Sequence, residues 1–288
     1  LAFYLGMAKF RRRRRVKSVL QISFISHKPY MVSRAMRTLG LKSDCLMLNV
    51  GADASILNLG FDYAIRADVS PQKRFWLEHY YLWTVLARYD VIHSHFKTFL
   101  SDSGWELEYL KKLGKVLVFH YRGCDIRHRS LNMKVQPELN CCQECDYPVG
   151  SCDIPYQFRQ MATARKYGDL FFVPTPDLRD FAEGAEHIPF MHPVGIDFDS
   201  IEAAPRDPDL FRVVTSSNHH GIDGTRFIRD AVQRLQTEGW RVELVEVNKM
   251  PYRQALSVYK SADVYAGKLR MGYYLSLIHI SEPTRRRG

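Results

Sequence analysis

"DVIHSHFKTFLSDSGWELEYLKKLGKVLVFHY", residues 90–121, decides how the rest of the chain reads. "DVIHSH" is a short β-branched run of buried-strand type. "WELEYLKKLG" has helical apolar spacing and closes at Gly114, and "KVLVFHY" returns as a strand. Strand, helix, strand in this order predicts a parallel sheet with helices on its faces. The same alternation extends towards the N-terminus. "VKSVLQISFI" (16–25) is a strand, "YMVSRAMRTLG" (30–40) a helix closed by Gly40, "CLMLNV" (45–50) a strand and "YAIRAD" (63–68) a third. Pro71 then opens a long helix, "PQKRFWLEHYYLWTVLARY", whose expected core contacts include Phe75, Leu82, Val85 and Leu86.

Regularity breaks between Arg122 and Pro155, where five of the six cysteines fall, and resumes with helix "YQFRQMATARKYG", strand "DLFFV", turn "PTPDL" and strand "HIPF". A Pro- and Asp-rich link, "SIEAAPRDPDL", marks a boundary. Beyond it the pattern restarts with strand "FRVVTSS", turn "NHHGIDG", helix "TRFIRDAVQRLQTEG", strand "RVELVEV", helix "PYRQALSVYKSA" and strand "DVYAG". The expected organisation is a basic tail (1–15), a Rossmann-like unit (16–195) with a Cys-containing insertion (122–155), a linker (196–209), an incomplete second Rossmann-like unit (210–274) and a C-terminal tail (275–288). The fold class is α/β, two tandem Rossmann-like domains.

Composition narrows the classes of function. No run of 18 apolar residues exists, so a membrane-spanning helix is not expected, and the expected compartment is the cytoplasm. The net charge of +10 is concentrated at the ends: residues 1–15 carry +6 and residues 275–288 carry +2, leaving +2 for the body. A phosphate-neutralising nucleic-acid binder carries its charge on the fold, so nucleic acid is not an expected partner. Arg11 to Arg15 read as a solvated run or as a peripheral contact with anionic lipid.

In doubly wound sheets, ligands sit beyond the C-terminal ends of strands. The turn "SSNHHGIDGT" (216–225) lies at such an end. Its glycines permit close backbone approach, and the following helix presents N–H groups suited to a diphosphate. The ordered set "YDVIHSH", "VLVFHYRGCDIR", "FFVPTPDL", "HPVGIDFD", "HHGIDGT" and "SVYKSADVYAGKLRMGYY" resembles the GT-B nucleotide-sugar-dependent glycosyltransferases, in particular the large retaining family four, over roughly residues 16–274. The resemblance implies an acceptor-binding first domain, a second domain holding the donor's nucleotide diphosphate, and retaining sugar transfer to a hydroxyl acceptor in the cleft between them. The acceptor is a glycan, a lipid-linked or a small molecule, and no metal cofactor is required. It also implies donor contacts from Asn218, His220, Gly221, Gly224, Thr225, Arg270 and Gly272, and catalytic, acceptor-side roles for His120, Arg122, Asp125 and Arg127.

Several positions depart from that family's pattern. His220 and Asp223 stand where an Arg and a Lys commonly neutralise the diphosphate, and an acid facing phosphate repels it unless it points away or is compensated. "RGCD" replaces a His-Gly-x-Asp stretch, with His120 two residues before Arg122 and on the same strand face. "SFISHKPYMVS" offers His27, Lys28 and Pro29 in place of a Gly-rich loop. His93 and His95 share a face at a strand end and read either as hydrogen-bonded structural histidines or as cleft residues. Cys142, Cys145 and Cys152 form a C-x2-C-x6-C pattern, which reads as free buried thiols or as a structural zinc completed by Cys141, Cys124 or His128.

Two rival readings stand beside the transferase: a non-catalytic sugar- or nucleotide-binding relative, favoured by His220 and Asp223, and an NAD-dependent oxidoreductase, disfavoured because neither first strand is followed by G-x-G-x-x-G. "LSLIHISEPTR" (275–285) looks like a translated sequencing-library adapter. On that reading the chain is an inactive fragment of a longer enzyme.

Overall fold

The computed structural model describes residues 16–24, 28–51, 61–96, 99–135, 137–138, 140–147, 152, 154–189, 199–217, 219–248 and 250–270. The basic run Arg11 to Arg15, His27, Asn218, Gly272 and the 275–288 tail lie outside them. Along the chain come β1 (Ser18–Ser23), α1 (Lys28–Thr38), β2 (Lys42–Val50), β3 (Tyr63–Arg66), α2 (Pro71–Thr84), β4 (Val91–His95), α3 (Trp105–Lys112) and β5 (Val116–His120). Next are α4 (Arg129–Val135), α5 (Ile154–Tyr167), β6 (Leu170–Val173) and β7 (Glu186–His187). Last come β8 (Phe211–Ser216), α6 (His220–Asp223), α7 (Thr225–Thr237), β9 (Val242–Val247), α8 (Tyr252–Lys260) and β10 (Val264–Tyr265).

Two compact units divide the chain: Leu1–His128 with Cys152–Val194, and Arg129–Ser151 with Gly195–Gly288. The first holds a seven-stranded sheet in the order β3-β2-β1-β4-β5-β6-β7, parallel throughout. Its strands are buried on both faces, as a sheet sandwiched between helix layers requires, with Gln21, His93, His95 and His120 as polar exceptions. Leu20, Ile22, Leu46, Ile92, Leu117 and Phe119 pack under α2, α3 and α5, whereas Val19, Val91, Val118 and Phe172 pack under Val32 and Met36 of α1. The Asp90 carboxylate pins the start of β1 by accepting from the Lys17 and Ser18 backbone N–H groups and the Ser18 hydroxyl at 2.9–3.0 Å. The second unit holds β10-β8-β9, also parallel, with α7 against Val213 and Val242 on one face and α8 against Val214 and Val247 on the other.

Two expectations are corrected here. The insertion does not belong to the first unit as a whole: Arg129–Ser151 groups with the second, and its Cys141 and Cys142 pack on Ile222. On α2, which starts at the Ser70 cap followed by Pro71, Leu82 turns inward with Val85 and Leu86, but Phe75 is half exposed, its ring packed on His79, which in turn stacks on Trp105. Phe75 and Leu82 are seven positions apart, close to two turns. Trp76, Tyr80 and Trp83 are exposed with Phe75, so apolar character alone did not mark the buried stripe.

Candidate functional site

In the second unit, β8 delivers the chain to Ser217, a short helical turn runs through His220–Asp223, and Gly224 at φ +74° launches α7. Asp223 answers the question its charge raised. Its carboxylate is buried, accepts the Ser217 hydroxyl at 2.6 Å and pairs with Lys268 at 2.6 Å, so its charge is compensated inside the turn. The Leu269 N–H donates to the Asp223 carbonyl at 2.9 Å and brings Arg270 to Gly224, where an added Cβ would press on the Arg270 side chain at 3.1 Å. Arg270 is buried against the Phe227 ring, 5.3 Å from guanidinium carbon to ring centre. Its Nε and Nη1 have no hydrogen-bond partner among the described residues, and neither have Thr225 Oγ1 and His220 Nδ1 close by in sequence. Buried donors without acceptors are costly, on the order of 1–3 kcal/mol each, and more when charged.

An acidic strap already reaches this turn. Glu144 pairs with Arg226 at 2.6 Å and with Arg270 Nη2 at 3.0 Å, and Asp146 accepts the Gly221 N–H at 3.2 Å beside His219 at 3.8 Å. A Cβ on Gly221 would overlap the Glu144 carbonyl oxygen, so the strap itself requires glycine at that position. The sequence reading missed Arg226, Lys268, Glu144 and Asp146. Arg226 was legible as a cation directly after the turn, but Lys268 lies 45 residues beyond Asp223, and the strap lies some 75 residues upstream with no periodic signal. A groove of about 660 Å³ on this unit is lined by Phe211, Leu235 and Trp240 at the start of β8, the end opposite the turn.

In the first unit, alternation along β4 puts Val91, His93 and His95 on one face. Register then sets His95 opposite His120 on β5 and His93 opposite Gln21 on β1. The three imidazoles are at most 4% exposed. His95 Nε2 lies 2.7 Å from Gln21 Oε1, and Arg122 Nη2 donates to His95 Nδ1 at 2.8 Å, which leaves the His95 proton on Nε2. Both ring nitrogens of His120 are buried without a hydrogen-bond partner among the described residues. Burial, assisted by the Arg122 charge, holds all three neutral: His93 falls to about 3, and His95 and His120 fall well below the ordinary histidine value. Desolvation also draws Arg122 down to about 10. Directly after His95, Phe96 sits at φ +61°, held by its N–H on the His120 carbonyl at 2.9 Å and its ring edge-to-face on Phe24.

Asp125 and Arg127 have scaffolding contacts. Asp125 accepts the Arg122 and Gly123 N–H groups and shapes the loop, and Arg127 pairs with Asp177 at 2.5 Å. An open pocket of about 300 Å³ lies at the ends of β1 and β2, lined by Phe24, Asn49, Arg74, Ser101 and Tyr156 among others. Of the two cysteine readings, the thiol one agrees with the geometry. None of the six cysteines is in a disulfide, and among the described residues Cys142, Cys145 and Cys152 do not gather into a metal-ligand group. Asn132 donates to Cys142 Sγ at 3.2 Å, which ties the strap to α4. His128 stacks on Phe158.

No family model matches the chain, and no curated protein matches it. Among solved structures, the Anabaena protein HepE, described in complex with UDP and glucose, is 12% identical over 87% of this chain and 74% of its own, with a TM-score of 0.47. A putative UDP-N-acetylglucosamine 2-epimerase from Listeria monocytogenes is 13% identical over 88% and 68%, with a TM-score of 0.42. A glycotransferase of kitacinnamycin is 13% identical over 88% and 75%, with a TM-score of 0.46. With identities and scores this low, the architecture is read from the chain's own strand order, β3-β2-β1-β4-β5 in the first sheet and β10-β8-β9 in the second. The chain is an α/β protein of two Rossmann-like units. Among the described residues no helix is long and apolar enough to cross a membrane.

Proposed function

We propose that this chain is a GT-B glycosyltransferase that moves a sugar, with retention, from a nucleoside-diphosphate donor to a hydroxyl acceptor. The observation that carries the reading is Arg270: a buried guanidinium with two unmatched N–H-bearing nitrogens, set against the left-handed Gly224 at the start of the 13-residue helix α7. A diphosphate supplies the acceptors those donors lack, and the helix N-terminus adds its partial positive charge. In the transfer step Arg270, Arg226 and the turn residues His220, Gly221 and Thr225 stabilise the charge that develops on the leaving diphosphate. On the acceptor side, His120 and Arg122 are the proposed contacts, and Asp125 and Arg127 are positioning residues that hold the loop carrying Arg122. The acceptor is a glycan, a lipid-linked or a small molecule.

The reading is tested by calorimetric titration with UDP, GDP and ADP, and with NAD as the contrast. A nucleoside diphosphate binds, and Arg270→Met weakens it by about 10–100-fold, the loss of one charge-assisted bond. Binding of NAD alone overturns the proposal and favours the oxidoreductase. A catalytically silent binding relative gives the same titration but releases no UDP from UDP-sugars in the presence of acceptor mixtures.

The strap makes a second prediction. Glu144 holds an anionic carboxylate on two of the guanidiniums a diphosphate would use, so Glu144→Gln tightens nucleotide binding by about tenfold, on the order of 1.4 kcal/mol. Unchanged or weaker affinity in that variant means that the strap does not compete.

A further inference from the structure

The histidine cluster of the first unit includes His120, one of the proposed acceptor contacts, but does not depend on the nucleotide reading. We infer that His93, His95 and His120 form a binding site for one divalent transition-metal ion of imidazole preference, zinc or its neighbours copper, nickel and cobalt. One ligating nitrogen from each ring lies within 4.8 Å of the others. Tetrahedral zinc with Zn–N near 2.0–2.1 Å needs about 3.4 Å between nitrogens, so small rotations of the rings close the set. The backbone already fixes two of the three relations: His93 and His95 by alternation on one strand, and His95 with His120 by register across two.

Three further observations point to an ion rather than to packing. First, the His120 imidazole is 4% exposed with both nitrogens lacking a hydrogen-bond partner among the described residues, a cost that an apolar ring of similar size would avoid and a metal would relieve. Second, His95 carries the outer contact that zinc-ligating histidines use. Its Nε2–H donates to Gln21 Oε1, and Gln21 is itself oriented by donating from Nε2 to Met36 Sδ at 3.4 Å, so Nδ1 is the nitrogen with a lone pair to give. Third, that lone pair already faces a cation, the Arg122 guanidinium at 2.8 Å. In the metal-free protein Arg122 occupies the direction from which the ion would bind. Metal and guanidinium therefore compete for His95, and Lys28, whose charge also acts on His120, adds to the opposition. The three ligands leave a fourth tetrahedral position for water or an anionic oxygen.

This competition gives the test a sign that a structural histidine cluster cannot mimic. Chelator-stripped protein is titrated with Zn²⁺ by calorimetry and with Co²⁺ by visible absorption. One equivalent binds, and Co²⁺ shows the intense bands of a four-coordinate nitrogen site. His120→Phe, which keeps the ring volume and its packing, weakens binding by at least 100-fold, with folding checked by circular dichroism. His93→Phe does the same, and His219→Phe, in the second unit, changes nothing. Arg122→Met tightens binding by about tenfold. The inference is overturned if neither wild type nor Arg122→Met takes up one equivalent, if His120→Phe leaves affinity intact, or if only Cys142→Ser with Cys145→Ser removes the metal.

Discussion

Kept free of metal by a chelator, the first unit is expected to unfold steeply on mild acidification, losing on the order of 4 kcal/mol per pH unit below about pH 6. The cause is the three imidazoles held neutral in the fold, His93, His95 and His120. In the unfolded chain each titrates near 6.5, whereas in the folded chain each remains unprotonated to much lower pH, so the unfolded state binds up to three more protons. Depressed folded values for basic groups mean that the stability is present above about 6.5 and is lost as pH falls, at about 1.4 kcal/mol per group per unit. Arg122 acts against the charged forms of His95 and His120, and Lys28 against that of His120. Glu106 and Asp125 oppose this trend. Burial raises both carboxyls, so their protonation at still lower pH relieves buried charge and softens the end of the fall. Against a typical total of about 5–15 kcal/mol, the unit should lose its fold within roughly two to three pH units of neutrality. Urea midpoints at pH 7.5, 6.5 and 5.5 measure this. A flat profile would refute it, and each His→Phe replacement within the trio should remove about a third of the slope.

That slope bears on how much of this protein can be read from its sequence. Strands and helices were legible because both signals are local. A β-branched run such as Val91–His95 and the spacing of Leu107 and Leu110 need no knowledge of the rest of the chain. The i, i+2 spacing of His93 and His95 placed them on one face for the same reason. What sequence could not supply was the neighbour. His120 joins them only because β5 pairs with β4 in a register that opposes His95, and Gln21 joins because β1 is the strand on the other side. The turn before α7 shows the same limit. Its glycines were read as room for phosphate, yet Gly221 is glycine because the Glu144 backbone passes against it. The strap around Glu144 has no periodicity, and its partners Ile222, Arg226 and Arg270 lie well downstream, so nothing local assigned Arg129–Ser151 to the second unit. For Asp223 the sequence leaves its orientation and compensation open. Its compensation by Lys268 depends on a contact 45 residues along the chain that spacing does not reveal.

Phe172→Ala is expected to destabilise the same unit by about 3–5 kcal/mol, the range for deleting a fully buried aromatic ring. The ring is 0% exposed on β6, packed among Val19, Val91, Val118 and Ile188, and it presents its face edge-on to His93 at 6.2 Å and His120 at 6.0 Å. Its position beside the imidazoles gives the substitution a second, separable effect. A cavity next to His120, whose nitrogens lack hydrogen-bond partners among the described residues, is polar on one side, and water entering there would hydrate the ring and ease its protonation. The variant should therefore be less stable at neutral pH and yet lose stability less steeply on acidification than wild type. Phe172→Leu, which fills more of the space and keeps water out, should cost under half as much while retaining the full slope. Parallel wild-type and Phe172→Ala profiles, offset only in height, would show that the cavity stays dry and that Phe172 serves packing alone.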